Sequence, residues 1–135
     1  MTRPLTDRDY QSLASFRREL RAFLAFSEQE AKAAGLTPAH HQLLLAIRGH
    51  DGSDAPSLSD VAEHLQLKLH SAGELVGRAS ANGLVRRWSD PTDHRRALLG
   101  LTEDGEAKLA ELSVQHRQEL RRFRREMNDV LRELD

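Results

Sequence analysis

A mainly α-helical fold with one small β-hairpin is what this sequence predicts, and three observations predict it. Apolar residues recur at steps of three and four through much of the 135-residue chain, the spacing of a buried helical stripe. Between Ser57 and Gly105 that rhythm changes in an ordered way. Two short helical patterns are split by a tight turn, and two short strand patterns are then split by a charged turn that ends in His94-Arg95-Arg96. Long helical patterns flank this stretch on both sides. A helix pair followed by a basic hairpin is the layout of a winged helix-turn-helix.

Composition narrows the function classes. The chain has no Cys, which removes disulfides, thiolate metal sites and a Cys redox switch. It has no apolar run long enough to span a membrane, and the start MTRPLTDRDYQSL lacks the apolar core of a secretory signal. A cytoplasmic protein with no membrane partner is expected. The net charge of −1 is spread unevenly. Residues 68–96 hold Lys68, Arg78, Arg86, Arg87, Arg95 and Arg96 against Glu74, Asp90 and Asp93, a local excess of three positive charges. Positive charge gathered on one short segment matters more for phosphate contact than the whole-chain sum.

Each element has its own justification. Tyr10, Leu13, Phe16, Leu20, Phe23 and Leu24 form one stripe on a long first helix. Gly35 stands where a left-handed C-terminal residue would end it. Thr37-Pro38 starts the second helix, Thr as N-cap and Pro at the first helical position; Leu43, Leu44 and Ile47 form its buried face and Gly49 ends it. His50 to Pro56 is a polar loop. Ser57 or Ser59 caps the third helix, whose apolar positions are Val61, Ala62 and Leu65. Gln66-Leu67-Lys68 is the turn. The fourth helix runs from about Leu69 to Ala81 with Ala72, Leu75, Val76 and Ala79 inward, and Asn82-Gly83 stops it. Leu84 to Ser89 and Arg96 to Leu101 read as the two strands, joined by Asp90-Pro91-Thr92-Asp93.

Thr102 caps the last helix, with Glu103 and Asp104 favourable at its N-terminus. Leu109, Leu112, His116, Leu120, Phe123, Met127, Val130, Leu131 and Leu134 then keep helical spacing to the end. A helix of about 30 residues is far longer than the mean, and one small module cannot bury such a stripe. Pairing with the first and last helices of a second copy would bury it, so a homodimer is expected through Leu13, Phe16, Leu20, Leu120, Phe123, Met127 and Leu131. The Arg117, Arg121, Arg122, Arg124 and Arg125 patch is expected to be a solvated face paired with Glu119 and Glu126.

No catalytic constellation is present: the sequence holds no nucleophile–base set, phosphate-cradling loop or carboxylate pair with a cleft, so no enzyme is expected. The seven His residues form no His-x-His or His-x-x-x-His pair, and no metal site or cofactor is expected. Neither spacing nor composition identifies ligand-binding residues.

The loop-to-helix stretch Gly35-Leu36-Thr37, the run Leu58-Ser59-Asp60-Val61-Ala62-Glu63-His64-Leu65, the run Asn82-Gly83-Leu84-Val85-Arg86-Arg87, the turn Asp90-Pro91-Thr92-Asp93-His94-Arg95-Arg96 and the closing Leu101-Thr102-Glu103-Asp104-Gly105 belong together. The segment from Gly35 to Leu109 that holds them resembles the MarR family of bacterial transcription regulators. The flanking helices match in length and position, so the likeness covers essentially the whole chain. It implies a single domain over 1–135, with 1–35 and 103–135 as the helical dimerisation region and 36–102 as the winged DNA-binding region. It further implies a homodimer, usually a repressor, on a near-palindromic double-stranded operator, often released by a small aromatic or phenolic effector. Some relatives sense zinc. His41 or Arg48, near the helix junctions, are the positions that the family layout brings toward an effector.

On that resemblance, Lys68, His70, Ser71, Glu74 and Arg78 at the front and outer face of the fourth helix would read base edges in the major groove. Arg95 would enter the minor groove, with Asp93 orienting its guanidinium. Arg86, Arg87 and Arg96 would touch phosphates or brace the hairpin; for Arg87 an ion pair with Asp90 is an equal alternative. Glu74 departs from the basic residue common in the family. It either accepts from cytosine N4 or pairs with Arg78, and the pair is favoured. Gly73 and Gly77 are also unusual in a recognition helix. They permit either a close approach by a partner or a loose helix that orders on DNA. The alternative function is a winged-helix module that binds protein without reading DNA.

Overall fold

The structure, a computed structural model, describes residues 3–133; Leu134 of the last apolar stripe lies outside the described residues. The elements are α1 (Asp7–Ala33), α2 (Pro38–Arg48), α3 (Leu58–Leu65), α4 (Leu69–Ala81), β1 (Val85–Ser89), β2 (Ala97–Leu101) and α5 (Glu103–Arg132). The expected fold class holds: a mainly helical chain with one β-hairpin. No described helix is long and apolar enough to cross a membrane. The chain divides into two compact units, one of residues 31–112 and one of the residues up to Glu30 together with those from Ser113 onward.

In the central unit, local chemistry fixes each boundary. Thr37 caps α2 by accepting from the His40 N–H at 3.0 Å. Ser57, rather than Ser59, caps α3 in a reciprocal box: its Oγ accepts from the Asp60 N–H, and Asp60 accepts from the Ser57 N–H. Three helices end in one closing pattern. Leu36 N–H donates to Ala31 O, Leu67 N–H to Ala62 O and Leu84 N–H to Ala79 O, each after a residue whose own N–H donates three residues back. Gly35 and Gly83 supply the left-handed φ at two of them, +80° and +75°. At the third, Gln66 takes φ +58° without being glycine. Leu84 is thereby consumed by the end of α4, so β1 begins at Val85, one residue later than the sequence suggested. Arg96 is likewise consumed by the turn, its N–H donating to Asp93 O and its carbonyl accepting from the Asp90 N–H, and β2 begins at Ala97.

The strands pair antiparallel with Val85 opposite Leu101 and Trp88 opposite Leu98. Leu43, Leu44, Val61, Val76, Ala79, Leu99, Leu109 and Leu112 belong to one buried cluster that α2, α3, α4, the hairpin and the start of α5 share. Thr102 ties the hairpin to the end of α4. Its Oγ1 donates to Gly83 O at 2.6 Å and accepts from the Gly105 N–H at 3.0 Å, while its N–H donates to Leu84 O. A side chain at Gly105 would collide with the Leu84 carbonyl, which is the steric reason for the Leu101-Thr102-x-x-Gly105 spacing.

The second unit is helical. Phe23 and Phe123 pack with ring centroids 5.3 Å apart. His116, buried, meets Phe26 edge-on at 5.3 Å and shares a 2.9 Å hydrogen bond with Ser27 Oγ. Glu19, also buried, is held by Arg122 at 3.3 Å, and Arg122 reaches Glu119 at 2.7 Å. The arginine patch is therefore ion-paired through Arg122, with Glu19 as a partner the sequence did not single out. Arg8 pairs with Glu133.

Candidate nucleic-acid interface

Helix α4 buries Ala72, Leu75, Val76 and Ala79 and turns His70, Ser71, Glu74, Gly77 and Arg78 to solvent. Lys68 is its N-cap and makes no side-chain capping bond. Lys68 is exposed, and the first N–H groups of a helix have no partner within it. The five proposed reading residues thus share one accessible surface. The expected Glu74–Arg78 pair is not formed. Glu74 Oε1 stands 3.0 Å from His70 Nε2, one turn earlier, while Arg78 lies where its charge acts on His40 of α2. Burial, and secondarily the Arg78 charge, hold His40 below the usual histidine value.

The two glycines of α4 have no steric need within the chain. A side-chain carbon at Gly73 would meet only Leu58 at an ordinary 3.8 Å, and one at Gly77 would meet nothing within 4 Å.

At the wing, Asp93 Oδ1 accepts from both the Arg95 N–H and Arg95 Nε at 3.1 Å. The Arg95 side chain is 92% exposed, so the carboxylate orients a guanidinium that otherwise projects into solvent. Arg96 and Arg86 are engaged differently. Arg96 pairs with Asp90 at 3.2 Å. Arg86 lies 5.0 Å over the Trp88 ring and donates to Leu101 O at 3.2 Å. Both brace the hairpin. The expected alternative of an Arg87–Asp90 pair is not what forms. Asp90 turns into the loop, accepts from Thr92 N–H and Oγ1 at 2.8 Å, and is reached by Arg96 across the turn that the Asp90 N–H closes. The Thr92 backbone hydrogen bond is the first cause of its lowered pKa. Arg87 is exposed on β1.

Of the residues expected at a dimer interface, Leu13, Leu120 and Leu131 are exposed, each near half of its surface. Phe16, Leu20 and Phe123 are half-buried, and Met127 is buried by its own chain. Leu120, Phe123 and Met127 line an open groove on α5 with Arg117, Arg121 and Arg124 along it. His41 is buried in α2, and Arg48 pairs with Glu106 at 3.3 Å. Among the described residues no three His, Asp or Glu gather as metal ligands would.

The helix pair, the hairpin and their spacing recur in known proteins. The crystal structure of AbsC, a MarR family regulator from Streptomyces coelicolor, superposes with a TM-score of 0.75 over 90% of this chain and 82% of that one, at 24% identity. The model of the MarR family matches residues 34–96, from the end of α1 to the last arginine of the wing turn. Over that segment the chain is similar to the MarR family. The structure of BpsR of Bordetella bronchiseptica is also similar, at 28% identity over 79% of this chain and 74% of that one, with a TM-score of 0.63. The transcriptional regulator HosA of Escherichia coli O111:H- is 35% identical over 75 residues, 56% of this chain. The match spans about half of that relative, 53% of its length.

Proposed function

We propose that this chain is a MarR-type, sequence-specific DNA-binding transcriptional regulator, a homodimeric repressor on a near-palindromic operator. One observation carries the reading: Asp93 holds the exposed Arg95 guanidinium at the wing, on the same basic segment as the exposed face of α4. An α-helix fits the major groove, and an arginine presented on a hairpin suits the narrow, strongly negative minor groove of an A·T stretch. Lys68, His70, Ser71, Glu74 and Arg78 then face base edges, and Asp93 lowers the entropic cost of placing Arg95. Arg86 and Arg96 keep the hairpin rigid. Dimerisation through Leu13, Phe16, Leu20, Leu120, Phe123, Met127 and Leu131 covers the exposed stripe and sets two reading heads. Regulation of BpsR's DNA binding by 6-hydroxynicotinic acid supports a small aromatic or phenolic effector here.

Exposed Leu67 and Leu69 at the front of α4 favour the second reading, a protein-binding module. Fluorescence anisotropy with a labelled duplex separates the two. The regulator binds non-specific duplex at low salt and loses it steeply as salt rises, through counterion release; a protein-binding module shows no retention at low salt. On a duplex selected by the protein, Arg95→Ala loses roughly 1–3 kcal/mol of specific affinity. Unchanged affinity would refute the wing's role.

A further inference from the structure

A carboxylate on a helix that faces phosphates is repelled by them, unless a donor on the nucleic acid meets it. Glu74 is such a carboxylate, with its side chain 59% exposed on the outer face of α4. The cation that would neutralise it within the helix, Arg78, is not its partner. His70 takes Oε1 at 3.0 Å, and Oε2 has no partner among the described residues. Gly77, on the same face one turn on, leaves open space where a side chain would stand. Nothing on that side screens the carboxylate from an approaching base edge.

We propose that Glu74, steadied by His70, is a specificity-determining residue that accepts a hydrogen bond from the N4 amino group of a cytosine, and so fixes a C·G pair in each half-site. This rests on the reading of α4 as the helix that enters the major groove. The chemistry selects cytosine over the other bases. Guanine and thymine present only acceptors on their major-groove edges, which a carboxylate opposes. Adenine offers its N6 amino group beside the N7 acceptor, so one lone pair opposes another. Cytosine presents the N4 amino group with no acceptor beside it. His70 acts as a positioning residue. By holding Oε1 it restricts the Glu74 side chain before binding, which reduces the rotamer entropy lost on contact.

The test is selection of half-sites from a pool of random duplexes by the full-length wild-type protein, Glu74→Ala, Glu74→Gln and His70→Ala. These positions are exposed, and circular dichroism checks that each variant folds. Wild type should enrich an invariant C·G pair in each half-site, and replacing it should weaken wild-type binding roughly tenfold. Glu74→Ala should flatten the preference at that position alone. Glu74→Gln should move it toward A·T, because an amide matches adenine N6 and N7. His70→Ala should keep cytosine with weaker discrimination. Glu74 variants that enrich the wild-type half-site unchanged overturn the proposal and leave an exposed His–Glu pair of no consequence for binding. A wild-type protein that enriches no motif overturns the DNA reading itself, and the proposal with it.

Discussion

His40 carries a consequence of folding that a single titration can read. Its ring is buried at 6% exposure in the first turn of α2. That burial, then the Arg78 charge, lowers its pKa below the ordinary 6.5. Below pH 6.5 the unfolded chain takes up a proton that the folded chain still refuses, so the stability that neutral His40 contributes is present above 6.5 and is lost as pH falls through the lowered value. Wild type should therefore lose thermal stability from pH 7.5 to 5 more steeply than His40→Gln; parallel curves would contradict this. At this scale the sequence was legible wherever a residue type has a single local use. Thr37 as a cap, Gly35 and Gly83 as left-handed ends, and Asp93 beside Arg95 were all readable. Gln66 was not, because nothing in a glutamine announces a positive φ. Arg86 and Arg96 were only half readable: whether they reach out or brace inward depends on strand register and on where Asp90 turns.

Helix α4 is the element whose sequence argues against its own role. Two glycines in thirteen residues weaken a helix that, on the proposed function, would have to stay straight enough to enter a groove. Its environment offsets this, since Ala72, Val76 and Ala79 are fully buried against its neighbours. With open space above Gly77, Gly77→Ala should stabilise the free protein by up to about 1 kcal/mol, measured by urea denaturation. A loss of stability would mean that the site is occupied in solution. Slow amide exchange across 69–81 in the absence of DNA would rule out a helix that orders only on binding. The approximate bounds of α4 were legible because a turn and Asn82-Gly83 bracket it. The Glu74 partner was not, because i,i+4 spacing allows His70 and Arg78 equally, and only tertiary placement sends Arg78 toward His40.

At the scale of the whole molecule, the long helices are the reason to expect two copies. The stripe on α1 and α5 is covered in part by Phe23, Phe123 and Met127, yet Leu13, Leu24, Leu120 and Leu131 remain exposed. An apolar face of that length on a water-exposed helix calls for a partner. Periodicity revealed the stripe. It did not reveal that Glu19 is buried beside Arg122, or that half-buried Ser27 meets His116, because such polar pairing follows from a partner far away in sequence. If the copies pair through this stripe, each dimer presents two α4 helices and two wings. Hydroxyl-radical footprinting on a duplex selected by the protein tests that account most directly. It predicts two protected half-sites related by inverted symmetry, centred about one helical turn apart, with minor-groove protection at the flanks that disappears in Arg95→Ala. A single protected patch, or no protection at concentrations that saturate the duplex, would contradict it.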